Sequence, residues 1–196
     1  MQLQAYEEQK PLSIGNNTDN HLLKSVYEWS ETVLWCFLFV ALLFTFAFRV
    51  VGVNGYSMDD TLHDTEKLIA IDWFTPRYGD IVAITQPAEL NKPLVKRVIA
   101  TEGQTVNIDF ANGAVTVDGK RLSENYIKEP TSVKGDISFP VTVPKGCVFV
   151  MGDNRNHSTD SRFSEVGMVD TRYIFGKVLF RIFPFNRFGA FGSVTG

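Results

Sequence analysis

Three short polar stretches of the chain carry side chains able to do chemistry. The first is Gly55-Tyr56-Ser57-Met58-Asp59-Asp60-Thr61-Leu62. A serine held beside glycine in a tight turn can expose its hydroxyl as a nucleophile, and the pliant backbone can turn amide donors toward a developing oxyanion. Taken alone this is a weak signal, because Gly-x-Ser turns are common. The second stretch is Lys96-Arg97-Val98-Ile99, set in an apolar run. A free lysine titrates near 10.4 and is no base at neutral pH, but burial disfavours the ammonium and could bring it to about 7–8. On a strand, Lys96 shares a face with Leu94 and Val98, whereas Arg97 lies on the other face with Val95 and Ile99. The two-residue period leaves open which cation is buried. The third stretch, Gly152-Asp153-Asn154-Arg155-Asn156-His157-Ser158-Thr159-Asp160-Ser161-Arg162, follows an apolar strand. It reads either as a solvated loop or as a supporting shell whose hydroxyls orient a base and whose Asp–Arg pair fixes the loop.

Two rival chemistries use the same neighbourhood. His63 stands among Asp59, Asp60, Asp64 and Glu66, but no second histidine sits at ligand spacing, so an acidic turn is favoured over a metal site and no cofactor is expected. A Ser-His-Asp triad could join Ser57 to His157 or His63. The residues alone leave this triad and a Ser57–Lys96 dyad both open.

These blocks need elements to hold them. Thr32 to Phe48 is a 17-residue stretch without a charge, bounded by Glu31 and Arg49. As a helix it covers roughly 25 Å, near the lower limit for a bilayer core, and Val50 and Val51 could extend it while Arg49 snorkels. A buried core helix would show a polar stripe, and a cleaved signal would carry a shorter apolar run. The expectation is therefore a tail over 1–31, mostly flexible, an uncleaved transmembrane anchor over 32–51, and a β-rich domain over 52–196. Near the ends of the span, Lys24 on one side faces Arg49 and Lys67 on the other, a weak charge hint against a cytoplasmic N-terminus. Short β-rich runs follow: 67–72, 81–85, 93–100, 105–110, 114–117, 137–143 and 147–151. Turn signals at Asn112-Gly113 and Asp118-Gly119 mark 105–147 as hairpin-rich. The soluble part thus reads as all-β, a barrel or packed antiparallel sheets. Six phenylalanines close the chain: Phe175, Phe180, Phe183, Phe185, Phe188 and Phe191. They are either core or an apolar surface at the lipid interface, where Arg181 and Arg187 would suit anionic headgroups.

Composition bounds the rest. Apolar residues make up 44% of 196, enough for a real core, and the net charge of −3 offers no basic face for nucleic acid. Cys36 and Cys147 fall in the apolar segment and the soluble part, so a disulfide framework is excluded.

Taken together, SM-x-x-TL, then KRVI, then GDNR-x-x-S-x-DSR behind an apolar anchor closely resemble the bacterial type I signal peptidase family, and the ending RIFPFNRFG fits as well. The resemblance implies a mainly β catalytic domain on a single-span anchor, with the N-terminus cytoplasmic and the domain on the outer face. It also implies removal of signal peptides with small residues at −1 and −3 from exported preproteins. Ser57 would be the nucleophile and Lys96 its base. Ser158 would hydrogen-bond the lysine amine, Asp160 and Arg162 would form a supporting ion pair, and Met58 would line the substrate pocket. The Ser57 N–H would be one oxyanion donor. A second donor, a hydroxyl in some members, is lacking at Gly55. The chain also has Asp60 where the family usually has proline, and two adjacent carboxylates near the lysine would raise its pKa unless Asp60 points to solvent and caps the next turn. A self-cleaving Ser-Lys repressor and a non-catalytic membrane-tethered scaffold are the alternative readings.

Overall fold

A computed structural model describes residues 16–85 and 93–192, and the chain divides into two compact units, 1–44 and 45–196. The first unit holds most of a 32-residue helix, α1 (Asn16–Ala47). Its described side chains are exposed from Leu23 to Leu42, and Leu23–Ala47 is long and apolar enough to cross a membrane. At 1.5 Å per residue those 25 residues span about 37 Å. Two expectations change here. Residues 16–31 of the supposed flexible tail are helical, because a polar segment carrying Leu, Glu and Lys can propagate a helix that the apolar span has already nucleated. Residues 1–15 lie outside the described residues. Val50 and Val51 do not prolong the span. They belong to β1 (Arg49–Gly52), where their β-branched side chains suit the pleat.

The second unit is mainly β. One sheet takes β1, β2 (Lys67–Ile71), β3 (Ile81–Ile84), β4 (Leu94–Thr101), β9 (Cys147–Met151), β10 (Val169–Asp170), the long β11 (Ile174–Phe183) and β12 (Gly189–Ala190). Its order is β1-β2-β11-β3-β4-β9-β10, with β12 on β11, and all its pairings are antiparallel. Strand β11 pairs with β3 through its first half and with β2 through its second. Between β4 and β9 the chain builds a second antiparallel sheet from β5 (Thr105–Asp109), β6 (Ala114–Val117), β7 (Lys120–Arg121) and β8 (Val141–Thr142). Of the apolar run 137–143 only Val141–Thr142 pairs as strand, since Pro140 has no N–H for a ladder.

The core explains what β4 can hold. Ile99 packs with Val106, Ile108, Phe149 and Met151 between the two sheets, whereas Val98 packs with Val82, Val148 and Val166 on the opposite face. Strand β4 is therefore covered on both sides. A third cluster joins Val53, Met58 and Leu62 to Leu68, Ile81 and Val178, fastening the serine-bearing loop to the sheet.

Candidate active site

Ser57 rides on a loop, 53–66, whose ends close on each other. Val53 N donates to Glu66 O at 2.9 Å and Thr65 N to Val53 O at 3.0 Å, the pattern of a compact Ω-loop. Buried Met58 and Leu62 pin it from inside, and Leu62 N donates to Met58 O at 2.8 Å. Gly55 has φ +87°, a left-handed value that side-chain-bearing residues resist, and its N–H donates to Asp64 Oδ1 at 2.8 Å. A hydroxyl-bearing residue at position 55 would strain this turn, which accounts for glycine there. The Gly55 amide is already committed, while the Ser57 N–H makes no hydrogen bond among the described residues.

Lys96 comes from the middle of β4, opposite Val82 of β3. Both Lys96 and its neighbour Arg97 are buried, at 2% and 3% exposure, because both faces of β4 are covered. Lys96 Nζ donates to Ser57 Oγ at 2.7 Å. Burial lowers the lysine pKa from 10.5 to about 8; Asp160 and Asp153 pull it up and Arg162 pushes it down. Neither Asp59 nor Asp60 acts on it. Asp59 Oδ1 meets His63 Nδ1 at 2.8 Å, and the Asp60 side chain is 72% exposed, with Lys128 Nζ 3.7 Å away. Asp60 faces solvent as expected but makes no capping hydrogen bond among the described residues.

Each buried arginine around the lysine has its own carboxylate. Arg97 forks onto Asp153 through Nε at 2.8 Å and Nη2 at 2.6 Å. Arg162 forks onto Asp160 at 2.8 and 2.9 Å, with both side chains fully buried. Arg155 reaches Glu124 at 2.5 and 3.1 Å. Three cations and three anions balance, so no carboxylate is left over to hold a lysine ammonium. With the carboxylates so paired, burial outweighs the pull of Asp160 and Asp153 on Lys96 and enlarges its neutral fraction.

Four of the anticipated residues, Ser57, Lys96, Asp160 and Arg162, take part in this constellation directly. Met58 lines a cleft of about 260 Å³ together with Ser57, Lys96, Val51, Ala83, Val95 and Phe175, and also belongs to the core beneath it. Gly55 sits in the adjacent turn. Ser158 departs from expectation. Its Oγ is buried with no hydrogen-bond partner among the described residues and does not reach Lys96. It lies instead over Gly152, beside the Ser57 carbonyl oxygen. The absence of a Cβ at position 152 opens that space, and Arg162, donating to Ser158 O at 3.3 Å, helps hold the local backbone. Neither His63 nor His157 is bonded to Ser57 Oγ, and no cluster of potential metal ligands occurs among the described residues.

Several members of the site escaped sequence reading. Asn154 N donates to Ser57 O at 3.1 Å and its Nδ2 to Tyr56 O at 3.0 Å, so one residue grips both carbonyls at the nucleophile. Thr61 Oγ1 donates to Asp153 Oδ2 at 2.6 Å, tying the serine loop to the Arg97 pair. Arg181 and Arg187, which on the lipid-interface reading of the Phe-rich ending would suit anionic headgroups, face the buried carboxylate of Glu66. The one sequence signal was Arg97 itself, since a guanidinium in an apolar strand requires a buried partner.

Comparison with known proteins bears on the same residues. The family described as "Signal peptidase, peptidase S26" matches residues 26–183. A signal peptidase I from Bacillus licheniformis is 38% identical over 176 residues, covering 83% of this chain and 91% of its own. A probable signal peptidase I-1 from Synechocystis is 40% identical over 151 residues, covering 71% and 73%. A crystal structure of a signal peptidase I from Enterococcus faecalis V583 aligns at 30% identity with a TM-score of 0.43, over 53% of this chain and 97% of that one. With the family matched through the loop of Ser57, the strand of Lys96 and the buried ion pairs, the chain belongs to the signal peptidase family, peptidase S26.

Proposed function

We propose that this chain is a membrane-anchored serine endopeptidase that removes signal peptides from exported preproteins, with Ser57 as nucleophile and Lys96 as general base. The observation that carries the assignment is the 2.7 Å contact between Lys96 Nζ and Ser57 Oγ in a buried, charge-balanced setting. The neutral amine takes the hydroxyl proton as Oγ attacks the carbonyl carbon of the −1 residue. The ammonium then returns that proton to the departing amine as the C–N bond breaks, leaving an ester on Ser57. Water, deprotonated by the same amine, hydrolyses the ester and frees the serine. The uncommitted Ser57 N–H faces the developing oxyanion. Asp160 and Arg162 brace the loop of the third block, and Ser158 packs against the Ser57 peptide.

Strand β1 is the sheet edge that lines the cleft, so an extended peptide can lie along it by strand addition. Alternate side chains of such a peptide point the same way, which suits small residues at −1 and −3 facing the cleft. Helix α1 holds the one candidate span among the described residues, and in this reading it anchors the chain with the N-terminus cytoplasmic and the peptidase unit on the outer face, where exported chains emerge. Lipid is a second partner of the peptidase unit. Phe183, Phe185 and Phe188 are 44%, 83% and 65% exposed, an apolar surface fit for an interface. The test is cleavage of a preprotein by wild type, Ser57→Ala and Lys96→Ala. Processing by wild type alone is expected, and equal processing by all three defeats the assignment.

A further inference from the structure

The Phe-rich C-terminal stretch does more than expose aromatic rings. Strand β11 breaks register twice, between Val178 and Phe180 and between Arg181 and Phe183, so irregularities flank Arg181 on both sides. Such bulges re-aim side chains, often beside active sites. The re-aimed Arg181 Nη1 donates to both oxygens of Glu66, at 3.3 and 3.1 Å, and to the Thr61 carbonyl at 3.1 Å. Arg187 Nη1 meets Glu66 Oε1 at 2.9 Å, and Arg181 Nε donates to Arg187 O at 2.6 Å, closing the turn after β11. Glu66 is 2% exposed and is the last residue of the Ser57 loop. Phe191 N donates to Leu179 O at 2.7 Å, and its ring packs on the cluster that contains Met58 and Leu62. Thr61 is thus held from two directions. Its carbonyl goes to Arg181, while its hydroxyl goes to Asp153, the partner of Arg97 next to Lys96.

We infer that Arg181, with Arg187 and Glu66, is a positioning residue for the peptidase reaction: the C-terminal segment clamps the serine loop through a buried carboxylate and fixes Ser57 against Lys96. The inference rests on the dyad reading above and names what maintains its geometry. It makes turnover depend on a side chain 120 residues from its contact in the loop.

The experiment uses the full-length protein in detergent micelles, comparing wild type, Arg181→Gln, Arg181→Lys and Arg187→Gln. Peptide kinetics are normalised to folded enzyme, and amide hydrogen exchange is followed over 53–66. Arg181→Gln is expected to lower kcat at least tenfold with KM within twofold, to leave the acid-limb midpoint of kcat/KM unmoved, and to speed loop exchange at least tenfold. Arg181→Lys recovers most of the rate, because an ammonium can still face Glu66. Should Arg181→Gln fail to fold, Arg187→Gln, whose side chain is 34% exposed, decides. It is expected to lower kcat about threefold at constant KM. Wild-type kcat per folded enzyme in the deciding variant overturns the clamp, as does a loss that disappears on normalisation. If wild type itself cuts no preprotein, the functional reading fails, and exchange alone judges the clamp: an unchanged loop in the folded variant overturns it.

Discussion

Gly152→Ala is the sharpest structural probe of the dyad, because a single methyl group would enter the narrowest point behind Ser57. A Cβ built at position 152 would fall on the Ser57 carbonyl oxygen and on Ser158 Oγ, and would lie 2.5 Å from Ser158 Cβ. Ordinary van der Waals contact begins near 3.4 Å, so the Ser57 peptide and Ser158 must together retreat by about an ångström. Ser57 O is also the acceptor for Asn154 N, so the retreat strains that grip as well. Ser57 O and Oγ belong to one residue, so the retreat disturbs the 2.7 Å contact with Lys96, and displacements of about 1 Å cost about a hundredfold in rate. Overpacking adds about 1–3 kcal/mol of destabilisation. The assay is kcat on a signal-peptide-derived substrate below the melting temperature of the variant, with thermal unfolding run in parallel. A folded Gly152→Ala enzyme that turns over within threefold of wild type would refute the placement of Ser57 between Gly152 and Lys96.

Other outcomes follow from the buried charges and the loop. Asp153→Asn removes the carboxylate facing Arg97, and an uncompensated buried guanidinium costs about 3–5 kcal/mol. Denaturant unfolding that gives a loss below 1 kcal/mol would contradict the pairing. Lys96→Met should stabilise the fold at pH 7 by up to about 3 kcal/mol. The folded-state pKa of about 8 lies below the unfolded value of 10.5, so the buried ammonium penalises folding fully below pH 8, and the penalty fades as pH rises to 10.5. Equal unfolding free energies for wild type and Lys96→Met at pH 7 would count against it. Asp60→Pro should leave kcat/KM unchanged or raise it, since the Asp60 carboxylate points to solvent and proline stiffens the turn. A severe loss in a folded variant would give Asp60 a role of its own.

How far the sequence reaches depends on the range of the interaction concerned. Asn112-Gly113 and Asp118-Gly119 each carry the backbone freedom that a tight turn demands. Gly113 has φ +72°, and both Asp118 and Gly119 have positive φ between β6 and β7. The Ser57, Lys96 and Asp160–Arg162 blocks were each weak signals alone and became legible as chemistry through their order behind an apolar anchor, which resembles that of the signal peptidase family. The choice between Lys96 and Arg97 was not, since a two-residue period separates a wet face from a dry one and β4 has no wet face. The helical stretch 16–31 was hidden for the opposite reason. Its described side chains face no core, so no apolar stripe marks it. The direction of Ser158 Oγ rests on the missing Cβ of Gly152, and the pairing of Glu66 with Arg181 spans 115 residues. Neither can be seen from local pattern.

The central claim is that Lys96 acts as an uncharged base on Ser57 because burial lowers its pKa. Its most direct test is the pH dependence of kcat/KM for wild-type cleavage of a signal-peptide substrate, which reports the free enzyme's essential base. With a midpoint of about 8, roughly a tenth of the enzyme is competent at pH 7, about 300-fold more than an unperturbed lysine would allow. The predicted result is a tenfold rise per pH unit below pH 8 and a plateau above it. A profile flat from pH 6 to 9, or one still climbing tenfold per unit toward 10.5, would contradict the account.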